Sequence, residues 1–497
     1  MTKGNILFNL KNYSASNAKN DVLSGSVVAI ALIPEAIAFS IIAGVSPLVG
    51  LYTAFILGLI TAIIGGKPGM ISGATGAVAV VLVDLVANYG FEYMLWATVL
   101  AGIIQISVGI LKLGKFIRLV PQPAMYGFVN GLAIVIATAQ FPLFENESYI
   151  IYLLVALTML IIYFLPKFTK AFPASLGAII AVTALVLIFK LDTKTIGDLA
   201  DISGGFPSFH IPAAPFNLET LKIILPYSFI IAMVGLIESL LTLSVLDEMS
   251  KSRGSGNKEC IAQGIGNCTC GMFGAMAGCA MIGQSIINFT SGGLGRLSGI
   301  TAAILLITFV VALSDYISYI PVAVLVGIMF MVSIATFEWS SFGHIKRMPK
   351  EDIFVMLTTT ILTIVFDLAI AVATGVIISA LVFAWKHAKI YVTTKREGDK
   401  KIYILDGPLF FGSTDSFSEI FDPKNDPKEV VIDFKNTRVM DQSGVEAIDK
   451  LTKKYNKENK KLTLRHLSED CKKLLKEAGK YCTYEEDDPT YKVAVNY

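Results

Sequence analysis

The stretch that most constrains the fold is Gly278-Cys-Ala-Met-Ile-Gly-Gln-Ser-Ile-Ile-Asn-Phe-Thr-Ser-Gly-Gly-Leu-Gly-Arg-Leu-Ser298. It lies between long apolar segments but breaks at Gly292-Gly293, well short of the roughly 20 apolar residues that cross a bilayer. Ser72-Gly-Ala-Thr-Gly-Ala-Val-Ala-Val80 has the same character in the first half of the chain. A short helix at membrane depth must be buried in protein or line a cavity, and its free N–H groups favour an anion. Two such helices at corresponding positions predict a transporter binding site.

The composition is typical of a polytopic membrane protein. Of 497 residues, 54% are hydrophobic and 16% are charged, and the mean hydropathy is +0.65. A net charge of +2 argues against a nucleic-acid partner. Catalytic motifs such as a Gly-rich phosphate loop or a nucleophile elbow are absent, so nothing indicates an enzyme. Residues 1–20 are polar and predict a cytoplasmic segment rather than a signal peptide.

The cysteines lie in apolar segments or in the charged tail, which argues against disulfides. They are Cys260, Cys268, Cys270, Cys279, Cys471 and Cys482. The spacing Cys268-Thr-Cys270 with Cys279 leaves a soft-metal site open, but packing within the membrane is the favoured interpretation.

Fourteen hydrophobic stretches follow one another along the chain. They are 22–42, 49–65, 73–89, 93–111, 120–143, 149–165, 172–190, 222–246, 258–277, 279–290, 297–314, 317–337, 352–366 and 368–385. Alternate loops carry basic residues: Lys3, Lys11, Lys19, Lys67, Lys112, Lys115, Arg118, Lys167, Lys170, Lys251, Arg253, Lys258, Arg296, Lys346, Arg347 and Lys350. The other loops are neutral or acidic, with Glu145, Glu147, Asp192, Asp198, Asp201, Glu219, Asp315 and Asp367, and the exceptions are Lys194 and the flanking Lys190 and Lys222. This alternation predicts fourteen crossings with both termini in the cytoplasm.

The stretches form two groups of seven on either side of the acidic loop 191–221. Because seven is odd, the halves 21–190 and 222–389 enter the membrane from opposite sides, which predicts inverted repeats. The interrupted stretch is the third in each half. The transmembrane domain therefore spans 21–389.

Residues 390–497 are charge-rich and predict a small soluble α/β domain. Strands are expected at 401–405, 429–433 and 461–464, and helices at 443–456 and 468–477.

The residues now show a resemblance to a known family. The segments that carry it are Asp21-Val-Leu-Ser-Gly25, Ile33-Pro-Glu-Ala-Ile-Ala-Phe-Ser40, Ala43-Gly-Val-Ser-Pro47, Gly50-Leu-Tyr52, Val120-Pro-Gln-Pro-Ala-Met-Tyr-Gly-Phe-Val-Asn-Gly131 and Gln263-Gly-Ile-Gly-Asn267. They resemble the sulfate permease (SulP) family, bacterial relatives of the animal multifunctional anion exchangers and prestin. The tail resembles the STAS domain of these proteins, with Asp441-Gln-Ser-Gly444 at its phosphorylation-site motif.

The resemblance implies an all-α membrane domain of fourteen segments in a 7+7 inverted repeat, like the uracil transporters, with a core and a gate domain. It also implies a homodimer, formed in part through the STAS domain, in the inner membrane with that domain in the cytoplasm. Family members move sulfate, bicarbonate, chloride or dicarboxylates, and membrane lipid surrounds them.

The anion site is predicted between the two half-helix ends. The candidate donors are Gly73, Ala74, Thr75, Gly76, Cys279, Ala280 and Met281. Small residues let an anion approach the backbone, although they also mark close helix packing. Many family members have an Arg where Gln284 stands, and its absence mildly favours a monovalent anion such as bicarbonate.

Glu238 lies within an apolar segment, where a lone carboxylate costs about 3 kcal/mol and needs a partner or a proton. Thr242 is one turn later on the same helix face. In bicarbonate-transporting relatives an acid and a Thr at this spacing bind Na⁺ beside the substrate. That acid is often Asp, so Na⁺ and H⁺ both stay open as the coupling ion.

Two further residues are candidates for the pocket wall. Glu35 follows Pro34 and either lines the pocket or hydrogen-bonds backbone freed by the proline. Phe39 either forms an apolar wall or packs in the core, whereas Asn267 is interpreted as an interhelical hydrogen bonder. In the tail, Ser443 is either a phosphorylation site at a helix start or the N-cap of that helix.

These residues predict a secondary transporter of small inorganic anions (bicarbonate or sulfate) coupled to Na⁺ or H⁺, in which the core moves against the gate domain. An anion exchanger, a dicarboxylate transporter, a nucleobase–proton symporter and an anion channel or sensor are the alternatives. No cofactor is expected beyond a possible coupling Na⁺ at Glu238 and Thr242.

Overall fold

The computed structural model describes residues 14–114, 121–144, 147–168, 173–199, 205–215, 217–345, 348–365 and 368–478. The chain separates into two compact units, Met1–Val376 and Ile377–Tyr497. Several residues named above lie outside the described ranges: residues 1–13, Lys115, Arg118, Glu145, Lys170, Asp201, Lys346, Arg347, Asp367 and Cys482.

The membrane part is helical, and each of the fourteen predicted stretches contains one main helix. The helices are α1 Ala15–Ile42, α2 Pro47–Ile64, α3 Gly76–Tyr89, α4 Phe91–Ile110, α5 Gln122–Thr138, α6 Ile150–Phe168, α7 Ala174–Phe189, α8 Ile196–Leu199, α9 Leu218–Ser250, α10 Gly256–Met272, α11 Ile282–Thr290, α12 Arg296–Ser318, α13 Val322–Thr336, α14 Ser340–Ile345, α15 Lys350–Val365 and α16 Leu368–His387. The short helices α8 and α14 have no counterpart in the prediction. In the described ranges, six helical segments are long and apolar enough by themselves to cross a bilayer. The count of fourteen crossings therefore stays a prediction.

The helices of the first unit pack in two groups. One group contains α1 to α4 and α9 to α12, and the other contains α5, α6, α7, α13 and α15. Glycines allow the closest approach: a Cβ added to Gly102 of α4 would lie 2.5 Å from the carbonyl oxygen of Gly264 in α10. Such contact between helix backbones is typical of membrane bundles. The first group holds both interrupted segments.

Two short strands replace the first turns of the interrupted helices. The strand β1 (Ser72–Gly73) precedes α3, and β2 (Cys279–Ala280) precedes α11. They pair antiparallel, with Ser72 opposite Ala280 and Gly73 opposite Cys279. Residues far apart in sequence are thus joined at one point inside the helical unit.

Between residues 390 and 478, the described part of the second unit contains a four-stranded sheet and three helices. Its elements are β3 Tyr391–Glu397, β4 Lys400–Asp406, α17 Thr414–Glu419, β5 Glu429–Asn436, α18 Gln442–Lys457, β6 Lys461–Arg465 and α19 Glu469–Ala478. The strand order is β3-β4-β5-β6, with β3 antiparallel to β4 and the other neighbours parallel. The predicted strands and helices are confirmed. The sequence missed β3, whose residues are all exposed and lack an apolar alternation.

The second unit contains a buried carboxylate that accepts several hydrogen bonds. Asp426 accepts hydrogen bonds from Lys401 (2.6 Å), Tyr403 (2.8 Å) and Tyr455 (2.5 Å). Burial opposes ionisation of Asp426, but these hydrogen bonds outweigh it and lower the pKa of its carboxyl group. Burial and the nearby Asp426 raise the pKa of Tyr455. The loop that carries Asp426 is therefore held by an ionised group.

Candidate functional site

The ends of α3 and α11 meet where β1 pairs with β2. Each helix begins within three residues of its strand, so both N-termini start from the same small sheet. Thr75 and Met281 are the N-cap residues, and neither side chain caps its helix. The first-turn N–H groups of a helix have no partner within the helix. Both positive dipole ends are therefore placed beside one another.

The backbone donors differ in part from those expected. The N–H of Ala280 donates to the Ser239 hydroxyl (3.1 Å), and the N–H of Met281 donates to the Ile71 carbonyl (2.9 Å). Those two N–H groups hold β2 in place, so the candidate donors on that side are the first-turn N–H groups of α11, from Ile282 onward. Gly283 in this turn is exposed, and a Cβ built there would meet nothing within 4 Å. The start of α11 thus opens onto free space.

We call the point where β1 pairs with β2 and where α3 and α11 begin the crossing. Glu238 of α9 reaches this crossing and is only partly buried. Its Oε2 accepts a hydrogen bond from the Cys279 thiol at 2.6 Å, and the Thr75 side chain is a second hydrogen-bond partner. The Thr75 hydroxyl and the Cys279 sulfur are 3.2 Å apart. A carboxylate, a thiol and a hydroxyl from three separate segments therefore form one cluster between the two helix starts.

Thr242 lies one turn after Glu238 on α9, as its spacing predicts, but its hydroxyl contacts main-chain oxygens. Its hydroxyl donates to the backbone carbonyl of Glu238 (2.8 Å) and lies 3.5 Å from the carbonyl of Ala280. Thr242 therefore contacts Glu238 through the main chain and braces β2. A joint role of the two side chains in binding a cation stays a prediction.

Glu35 of α1 stands at the α11 side of the crossing. It is partly buried, and its Oε1 accepts a hydrogen bond from the Gln284 amide at 2.8 Å. The Gln284 Oε1 is buried and has no hydrogen-bond partner. Glu35 thus contacts α11 by its side chain, and its role in lining the pocket stays a prediction.

Phe39, one turn after Glu35, packs against the start of α3. A Cβ added to Gly76 would lie 2.9 Å from the Phe39 ring and 2.8 Å from Ile136. The glycine at this position leaves room for the Phe39 ring, which is buried in the core, and a role of Phe39 as a wall of the site stays a prediction. The remaining candidates, Gly73 and Ala74, are buried.

Polar side chains on α10 brace the crossing, and only one was singled out from the sequence. Asn267 donates to the Gly278 carbonyl (3.1 Å) and accepts from the Gly278 N–H (2.9 Å), and it donates to Gln105 of α4 (2.9 Å), so it is an interhelical hydrogen bonder. Gln263 donates to the Ser72 hydroxyl (2.9 Å) and to Glu259 (2.8 Å). The spacing of Gln263 and Asn267 by one turn was the available signal, since it places both amides on one helix face.

In the second unit, the N-cap of α18 is Asp441, whose Oδ1 accepts from the Gly444 N–H at 2.9 Å. The interpretation of Ser443 as the N-cap is therefore wrong, because Asp441 already satisfies the first turn. Ser443 lies in that first turn and is partly buried. Its phosphorylation stays a prediction.

Comparisons with known proteins agree with this architecture. The model of the sulfate permease family matches residues 19–147 and 143–359, and that of the STAS domain matches residues 391–486. The chain belongs to the sulfate permease family. This permease is 45% identical over 472 residues to the "Putative sulfate transporter YbaR" of Bacillus subtilis (strain 168), covering 95% of this chain and 99% of the relative. It is 28% identical to the bicarbonate transporter BicA of Picosynechococcus, covering 84% of this chain and 83% of BicA.

Solved structures show the same fold for this permease. The transmembrane domain of a cyanobacterial BicA covers 74% of this chain and 98% of its own length, with a TM-score of 0.65 and 29% identity. Murine Solute Carrier 26 family member A9 covers 95% of this chain and 88% of its own length. At a TM-score of 0.81 and 16% identity, that likeness is one of fold alone. Relatives in the family are transporters rather than enzymes.

Proposed function

We propose that this permease is a secondary active transporter of a small inorganic anion, which binds between the starts of α3 and α11 and moves together with a cation. The observation that carries the proposal is the antiparallel pairing of β1 with β2, at which the Cys279 thiol donates a hydrogen bond to Glu238. Unpaired N–H groups and two dipole ends favour an anion. A carboxylate beside them repels that anion unless a cation neutralises it. The proposal includes a homodimer in the inner membrane with the STAS tail in the cytoplasm.

The charges at the crossing favour a monovalent anion. Glu35 and Glu238 both contact it, and none of the described residues placed there is a Lys or an Arg. Backbone dipoles alone then hold the anion, and a second negative charge on the substrate increases the repulsion. Since relatives are named as sulfate or bicarbonate transporters, bicarbonate is the favoured substrate and sulfate is the alternative.

Movement of one helix group against the other would carry the site across the membrane. The helices around the crossing, α1 to α4 and α9 to α12, pack with one another, whereas α5, α6, α7, α13 and α15 form the second group. The first group corresponds to the expected core and the second to the expected gate domain. Alternating access by such rocking is the usual mechanism of repeat-built transporters.

Uptake of radiolabelled bicarbonate and sulfate into proteoliposomes, with Na⁺ and pH gradients imposed separately, tests the proposal. Glu238→Gln removes the charge and keeps the shape, so gradient-driven uptake should collapse. The matched control is Glu248→Gln, because Glu248 lies on the same helix but is exposed and away from the crossing. Full gradient-driven uptake by Glu238→Gln would refute the role of this carboxylate.

A further inference from the structure

The cation site expected from the sequence pairs the carboxylate of Glu238 with the hydroxyl of Thr242, both oxygen ligands. Hard cations take such ligands, and several must converge on one point. The side chains of Glu238 and Thr242 therefore predict a candidate Na⁺ site.

One of the two hydrogen-bond partners of the Glu238 carboxylate, besides the Thr75 hydroxyl, is a poor ligand for Na⁺. Glu238 Oε2 accepts a hydrogen bond from the Cys279 thiol at 2.6 Å, and sulfur is a soft donor that hard cations avoid. The Thr242 hydroxyl is directed to main-chain oxygens, with the Glu238 carbonyl at 2.8 Å as its nearer acceptor. The Glu238 carboxylate and the Thr242 hydroxyl thus have different hydrogen-bond partners, and a sulfur rather than an oxygen lies beside Oε2.

Cys279 is fixed in this position by both halves of the crossing. It lies in β2 opposite Gly73, is fully buried, and its sulfur is 3.2 Å from the Thr75 hydroxyl. The thiol therefore cannot turn away from Glu238 without disturbing the start of α3. This contact distinguishes Cys279 from Cys268, whose sulfur contacts the Val99 carbonyl of α4.

We infer that the Cys279 thiol is a specificity-determining group that keeps Na⁺ out of the Glu238 site. The inference rests on the proposed cation-coupled function and narrows its coupling ion. A proton needs a single acceptor oxygen and no coordination shell, so this arrangement still admits it. The transporter is then coupled to protons, in contrast to bicarbonate-transporting relatives in which an acid and a Thr at this spacing bind Na⁺.

The test is uptake of labelled bicarbonate and sulfate by the full-length protein in proteoliposomes under one gradient at a time. An inward gradient of about tenfold is worth about 1.4 kcal/mol and can drive about tenfold accumulation of a coupled anion. We expect such accumulation with the proton gradient and none with Na⁺ replacing K⁺. Accumulation driven by Na⁺ would overturn the inference and leave the proposed function intact. If neither the proton gradient nor the Na⁺ gradient drives accumulation of the anion, cation coupling itself is refuted.

The residue is tested by Cys279→Ser, which replaces sulfur by oxygen at nearly unchanged shape, with Cys268→Ser as the matched control. Na⁺-driven accumulation should appear in Cys279→Ser and stay absent in Cys268→Ser. A Cys279→Ser protein that transports without any response to Na⁺ would show that the sulfur is not the determinant. Thermal unfolding of the purified wild type in NaCl and in KCl gives an independent measurement. Equal unfolding temperatures support exclusion of Na⁺, and a higher temperature in NaCl contradicts it.

Discussion

Gly278→Ala should separate the two half-helices, because Gly278 directly precedes β2 and has no room for a side chain against Gly73 of β1. A Cβ at this position would lie 2.2 Å from the carbonyl oxygen of Gly73, a backbone atom that no rotamer change can move. Contacts under 3.0 Å are essentially never seen for real Cβ atoms, so the two strands would have to part by about 0.8 Å. Displacements near 1 Å in a preorganised site cost about 100-fold in rate.

The expected outcome of Gly278→Ala is a folded protein whose anion uptake in proteoliposomes is reduced by roughly one to two orders of magnitude. Overpacking of this size costs about 1–3 kcal/mol of stability, so a monodisperse protein with a lowered unfolding temperature is expected. Gly343→Ala is the matched control, since a Cβ there meets nothing within 4 Å and α14 lies outside the crossing. Wild-type uptake and stability in Gly278→Ala would refute the close approach of the two strands as a requirement for transport.

Two further predictions address the substrate charge and the tail. Gln284→Arg places a guanidinium beside Glu35, and the ratio of sulfate to bicarbonate uptake should rise about tenfold. The second negative charge of sulfate gains more than about 1.4 kcal/mol from a nearby cation, which bicarbonate does not. An unchanged ratio would contradict the charge argument. Asp426→Asn should destabilise the second unit by about 2 kcal/mol at neutral pH. Because the pKa of Asp426 is lowered on folding, its contribution is complete above the ordinary value of 3.8 and is lost as the pH falls through the lowered value. Hydrogen exchange of α18 in the full-length protein should therefore differ between wild type and Asp426→Asn at neutral pH and converge in acid; a difference that persists in acid would contradict this assignment.

Local patterns in the sequence predicted the main elements correctly. Apolar stretches of limited length, interrupted by Gly and other small residues, indicated both half-helices, and short runs of apolar, strand-favouring residues indicated β4, β5 and β6. These features depend on neighbours along the chain, so they can be read without knowing the fold. The strand β3 escaped because this fully exposed edge strand has no such apolar run.

The composition of the candidate site was decided by tertiary structure. Cys279 and Thr75 are 204 positions apart, and Gln284 and Glu35 are 249 apart, so no spacing rule could pair them. The sequence placed Glu238 and Thr242 on one helix face, but packing against β2 directed the carboxylate to a thiol and the hydroxyl to main-chain oxygens. Hydrogen-bond partners of a buried side chain are set by whichever segments pack around it, and this information exists only once the helices are assembled. The sequence alone thus determined the elements and the two interrupted helices, whereas the folded structure determined which chemical groups face one another where they meet.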